Sequence, residues 1–228
     1  MTFVLTVIPR FLDTKGLVNQ DFSLLFGSDT SSKLFEKWDT CFKFKINKEA
    51  RSLTGQMAGL NILLKCAEST FDFEDHGSSG FIGWDADMAS VLLLVYLLPP
   101  LAGGKKVPKI TSSGAVDHMV QFHKSCYSID EHLSQSEGRQ PYHLAVGTTK
   151  AKIHDFYIVL DKQLMPCQAR SSLGAFNELF KMLILYSVLP MIRPIVYTFL
   201  QTTVYNIDIG HVKESPRVKE LRAKILNN

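Results

Sequence analysis

Cysteine is sparse in this 228-residue chain, and Cys41, Cys66, Cys126 and Cys167 stand far apart with no CxxC pair. That spacing excludes a thioredoxin-type motif or a paired-cysteine zinc ribbon. The opening MTFVLTVIPR has no basic stretch ahead of its apolar residues and no small-residue cleavage site, so no secretory signal is read. The thiols are therefore expected to be reduced and mostly in the core, in an intracellular protein, cytoplasmic or nuclear. Charge of one sign is also lacking: 25 Lys and Arg against 22 Asp and Glu leave +3, with the basic residues scattered. Such a balance makes no strong electrostatic case for nucleic acid.

Catalytic signatures are missing too. No Gly-x-Ser-x-Gly elbow occurs, and no cysteine carries the local signature of a nucleophile. Gly147-Thr148-Thr149-Lys150 has the flavour of a phosphate loop without the first glycine and its spacing, and reads as a turn between strands. No internal repeat is present. With 46% hydrophobic and 21% charged residues, the chain has enough apolar material for a sizeable core, as one large domain or two small ones.

Two long apolar runs are present. Met182 to Leu200 (MLILYSVLPMIRPIVYTFL) would extend about 28 Å as a helix, close to the thickness of a bilayer. Its ten Leu, Ile, Val and Phe residues contribute roughly 3–6 kcal/mol to insertion, and Arg193 cancels about 2.5–3.5 of that. Pro190 and Pro194 would strand carbonyls in lipid, so a membrane partner is disfavoured. Ala89 to Leu98 stops at Pro99-Pro100, too short to cross, and reads as a buried helix.

Along the chain, Val4 to Phe26 predicts two short helices joined by a turn, the second closed by Gly27. Ser28 to Ser32 offers caps for a helix carrying Leu34, Phe35, Trp38 and Phe42 to about Lys48. Further helices are expected over Met57–Ala67, from Trp84-Asp85 to Pro99, over Ala115–Phe122, and from the capping box Ser128–Glu131 through Leu133. The period then changes. Tyr142–Val146, Phe156–Leu160 and Leu164–Cys167 predict a small antiparallel three-stranded sheet, with Pro166 placing the last strand at an edge. Ser171 or Ser172 caps a helix with Leu173, Phe176, Leu179 and Phe180. Ser215-Pro216 opens a last helix with Val218, Leu221 and Ile225 on one stripe. The fold class is α+β and mostly helical. Residues 1–70 form a helical N-terminal part, 71–80 an acidic Gly/Ser-rich linker, and 81–228 an α+β part, either separate from or continuous with the first.

Candidates for chemistry are few. His118, His123, Cys126 and His132 lie close in sequence, and His123 and Cys126 would share a face on a helix. Zinc accepts both atom types, so His118, His123 and Cys126 are weak metal candidates, but the spacing matches no established zinc pattern. Scattered polar histidines and a core cysteine are the favoured reading. Asp72, Glu74, Asp75, Asp85 and Asp87 read as solvated acids, the last two complementing a helix N-terminus. Phe22, Phe26, Trp38, Phe42, Phe156 and Tyr157 have core-like spacing and do not form a base-stacking platform. No catalytic residue and no cofactor is assigned.

The blocks PRFLDTKGLVNQDFSLLFG (Pro9 to Gly27), WDADMASVLLLVYLLPP (Trp84 to Pro100), EGRQPYHLAVG (Glu137 to Gly147), DFYIVLDKQLMPCQ (Asp155 to Gln168) and TTVYNIDIGHVKESPRVKELRAKILN (Thr202 to Asn227) carry a resemblance. The chain resembles a multi-copy vertebrate family expanded in fishes, sterile alpha motif domain-containing-like, whose larger members can carry that domain upstream and which is linked to mobile-element ancestry. The resemblance implies no reaction, cofactor or catalytic residue. It implies a truncated member, since the chain begins almost directly on a family-like block. After Leu179-Phe180-Lys181, similar proteins continue Ala-His-Phe-Val-Phe-Ser-Val-x-Tyr-Asp before rejoining at Tyr-Thr-Phe. Codons for Met182 to Ile195 can be chosen so that a one-base shift restores that pattern. A pair of compensating indels is therefore implied, and poor packing is expected from Met182 to Pro194.

These readings converge on a non-enzymatic interaction or regulatory domain with an unknown protein partner. A nucleic-acid-associated module, resting on Lys43 to Lys48 and Lys213 to Lys224, is the alternative, and a membrane protein through 182–200 a further one.

Overall fold

The structure, a computed structural model, describes residues 10–53, 57–69, 83–100, 110–135, 140–185 and 195–227. After a single turn at Arg10–Asp13, Gly16 in the left-handed region admits helix α1, Leu17–Phe26. Val18 and Phe22, one turn apart, bury its inner face. Gly27, also at positive φ, ends α1 and donates its N–H to the Ser23 carbonyl at 2.9 Å, while its own carbonyl accepts the Ser31 N–H. α2 (Ser28–Lys37) therefore folds back at once along α1. A π-helical turn, Trp38–Phe42, carries it into α3, Lys43–Arg51.

α4 (Ala58–Glu68) and α5 (Ala86–Leu97) follow. Asp85 caps α5, its Oδ1 accepting the N–H of Asp87 at 3.1 Å and of Met88 at 3.0 Å. Met88 to Tyr96 are buried without a break, as expected of a helix with no polar stripe. α6 is Ser112–Met119, and the chain passes directly into strand β1, Val120–Lys124. α7 (Ile129–Gln135) leads to β2 (Tyr142–Thr149), β3 (Lys152–Leu160) and β4 (Gln163–Pro166). α8 is Ser172–Leu185. α9 (Ile195–Phe199) runs into a second π-helical turn, Leu200–Val204, and α10 (Pro216–Asn227) closes the fold.

The class is α+β and mostly helical, but the sheet differs from expectation. It is four-stranded and mixed, in the order β1-β2-β3-β4. β2, β3 and β4 form the antiparallel meander, with Pro166 on the outer strand. β1 pairs with β2 in parallel, Val120 opposite His143 and Lys124 opposite Gly147, in place of the helix expected to reach Phe122. The span through α7 supplies the long crossover that a parallel pair requires. Gly147 sits in a register shift of β2, not in the turn, which falls at Lys150-Ala151. A β-carbon there would lie 2.2 Å from the Lys152 carbonyl oxygen.

β2 is covered on both faces. Tyr142, Leu144 and Val146 face a small cluster with Leu133 and Val159, while Ala145 faces the main core. That main core is continuous from Val18 through Trp38, Leu60, Leu92, Phe176 and Tyr205 to Ile225. It joins the part before residue 70 to the part after 81, and residues 71–80 lie outside the described residues. Cross-links run both ways: Asp87 accepts from Trp38 Nε1 at 2.9 Å and Lys43 Nζ at 2.6 Å, and Lys45 Nζ donates to the Ile225 carbonyl at 2.7 Å.

Met182 and Leu183 continue α8 and are buried, which corrects the expectation of poor packing at those two positions. The rest of the segment in question, 186–194 with Pro190, Arg193 and Pro194, lies outside the described residues. Among the described residues no helix is long and apolar enough to cross a membrane.

Candidate functional site

α8 is buried from Ser172 to Leu183, so its polar residues cannot escape to solvent by facing outward. Asn177, Glu178 and Lys181 lie within one turn of each other, and each finds a partner: Tyr205 for Asn177, the backbone after β4 for Glu178, and α1 and α2 for Lys181. Lys181 is 3% exposed. Its Nζ donates to Asn19 Oδ1 of α1 at 3.0 Å and to Ser31 Oγ of α2 at 2.7 Å, and lies 5.3 Å from the centre of the Phe22 ring. Burial pushes its pKa down to about 8, with Glu178 opposing the shift.

Glu178, likewise 3% exposed, accepts the backbone N–H of Gln168 at 3.0 Å and of Ala169 at 2.7 Å, the segment just after β4. Burial raises its pKa, and those two hydrogen bonds hold part of the rise back. The Cys167 thiol beside it is pushed well up, by burial first and then by the Glu178 charge, which disfavours the thiolate. Asn177 Oδ1 accepts the Tyr205 hydroxyl, whose ring stacks on Phe180 at 4.4 Å, and the Tyr205 carbonyl accepts Lys33 Nζ at 2.9 Å. Asn19, Ser31, Asn177, Glu178 and Lys181 line a recess of about 460 Å³, with Ser23, Ser28 and Ser32 extending its hydroxyl surface.

The metal candidates are not assembled. His118, at the end of α6, is exposed; Cys126 is exposed in the turn after β1. His123 sits in β1, not on a helix, so the helical face it would have shared with Cys126 does not exist. Its Nε2 pairs with the Tyr127 carbonyl at 3.2 Å, and its ring meets His132 at 5.2 Å. Tyr142 Oη in turn lies 3.2 Å from His132 Nε2, and burial and then the His123 charge lower the His132 pKa. No group of three or more metal-ligating side chains converges among the described residues.

Asp85 and Asp87 serve the helix start and the Trp38 and Lys43 contacts, while Asp72, Glu74 and Asp75 lie outside the described residues. Four of the basic residues in the segments Lys43 to Lys48 and Lys213 to Lys224 are engaged within the fold. Lys43 pairs with Asp87, Lys45 with the Ile225 carbonyl, Lys224 with Glu220 at 3.0 Å and Glu49 at 3.6 Å, and Arg222 with Glu214 through both nitrogens.

Asn19, Ser31, Glu178 and Lys181 belong to no motif and do not stand out in the sequence. Their one available signal is Asn177-Glu178 and Lys181 set between Phe176, Leu179, Phe180 and Met182. A helix apolar on its other faces forces such polar residues inward, but the partners of Lys181 are 150 and 162 residues away.

Fold and site together define a mostly helical α+β domain built around a buried, hydrogen-bonded lysine and glutamate. No family model matches the chain, and neither a curated protein nor a solved structure shows significant similarity to it.

Proposed function

We propose that this chain is a non-enzymatic interaction or regulatory domain whose partner docks on the α1–α2 hairpin. The observation that carries the reading is apolar exposure on that hairpin: Leu24 is 76% and Leu25 69% exposed, and Phe35 stands out from α2 beside the recess. A contiguous apolar surface built from such side chains is of the kind that serves protein contact. They hold nothing in the core, so replacing them leaves the fold intact. The double variant Leu24→Ser/Leu25→Ser should keep the wild-type Tm and lose the partners captured by the wild-type chain. An unchanged set of captured proteins ends the reading.

Intramolecular engagement of Lys43, Lys45, Arg222 and Lys224 favours a protein partner over nucleic acid. The kinship with the fish-expanded, mobile-element-linked family is part of the same proposal and rests on the five blocks quoted above. The out-of-frame origin of Met182 to about Ile195 is a further part of it and rests on the family pattern that a one-base shift restores there. Sequencing the locus and transcript across Lys181 to Tyr197 tests it, and stops in the shifted frame refute it.

A further inference from the structure

The two hydrogen bonds of Lys181 raise a question that a purely structural salt bridge would not. Its acceptors, Asn19 Oδ1 and Ser31 Oγ, are neutral, and no ion pair to Lys181 within 4 Å is present among the described residues. An amine that gives two N–H bonds to two acceptors keeps one position free, and in the neutral form that position is a lone pair. Lys181 and both acceptors line the same recess, which is large enough for a small molecule and whose wall also carries the Ser23, Ser28 and Ser32 hydroxyls, Glu178 and Phe35. Neutral, oriented amines in recesses are the groups that condense with carbonyl compounds.

We propose that Lys181 is a carbonyl-capturing residue, forming a Schiff base with a small hydroxylated aldehyde held in this recess. The Nζ lone pair attacks the aldehyde carbon while the carbonyl oxygen takes a proton from solvent, and one Nζ proton passes back to solvent to leave a neutral carbinolamine. The carbinolamine then loses water, and a C=N bond replaces the C=O bond with no net redox change. The Ser23 hydroxyl, together with the oxygens of Ser28 and Ser32, whose own protons go to Asp29 and Glu36, supplies partners for the hydroxyl groups of the aldehyde. Covalent capture goes beyond the docking role of the hairpin and does not depend on it.

Burial supports the chemistry. With a pKa of about 8, against 10.5 for an ordinary lysine, Lys181 is neutral at pH 7 roughly 300-fold more often than a surface lysine. Glu178 is the one charged group that opposes this shift. The folded full chain is exposed briefly to glycolaldehyde and cyanoborohydride at pH 7, and hydroxyethyl-lysines are mapped by peptide mass spectrometry. Lys181 should be modified before the exposed lysines, by up to that factor, and should lose its lead in denaturant. The Lys181→Arg variant should leave the surface pattern unchanged. Labelling of Lys181 no faster than the exposed lysines, or a lead that persists in denaturant, overturns the proposal. Because the rates are compared within the native chain, the test stands even where the Lys181→Arg variant fails to fold.

Discussion

His143 is the residue with the most to lose from a change of pH. It lies in β2, wholly buried against Phe156 at 5.5 Å, and neither ring nitrogen has a partner of hydrogen-bonding geometry. Burial pushes its pKa down to about 4, which the Ala175 backbone offsets only in part. Between pH 6.5 and 4 the unfolded chain takes up a proton here that the folded chain does not, so stability falls as pH falls across that window. The loss is on the order of 3 kcal/mol. Glu178, with a raised pKa, pulls the other way, and Glu214, lowered by its Arg222 hydrogen bond, pulls the same way. The difference between wild type and His143→Leu isolates the histidine: denaturant melts should give a flatter pH dependence for the variant, and parallel curves would refute this account. Lys181 has the matching property at the alkaline side, since a depressed lysine pKa makes stability rise as pH climbs from about 8 toward 10.5.

At the scale of elements, the β2–β3 hairpin depends on one missing side chain. Gly147 brings β2 so close to β3 that a β-carbon would meet the Lys152 carbonyl oxygen at 2.2 Å and Ile153 Cα at 2.8 Å. Both are backbone atoms and cannot swing aside. Gly147→Ala should therefore cost about 2 kcal/mol or more, read as a lower midpoint in urea. A neutral result would mean that the register shift relaxes freely. Helix ends were the most legible elements in the sequence, because Gly27, Asp85, Ser128 and Ser215-Pro216 act through chemistry within a few residues. β1 was not legible. Val120 and Phe122 alternate like a strand but adjoin a helix, and only pairing with the distant His143–Gly147 segment decides between the two.

For the whole molecule, the continuous core has a consequence that two separate lobes would not share. Val18, Trp38 and Leu60 are buried in the same cluster as Leu92, Phe176, Tyr205 and Ile225, so each part completes the other. A protease site engineered between residues 71 and 80 and then cleaved should leave two fragments that co-elute and melt together. Separation on a sizing column without denaturant would show that the parts are independent lobes.

Local chemistry carried the capped helix ends at Gly27, Asp85 and Ser215-Pro216, the three-stranded meander, the edge position of Pro166 and the burial of Ala89 to Leu98, since caps, prolines and apolar period act over a few residues. The recess is of another kind. Lys181 meets Ser31 150 positions away and Asn19 162 positions away, and nothing in Asn177 to Lys181 names those partners. Only the packing of α8 against the α1–α2 hairpin turns a polar interruption in an apolar helix into an oriented, desolvated amine.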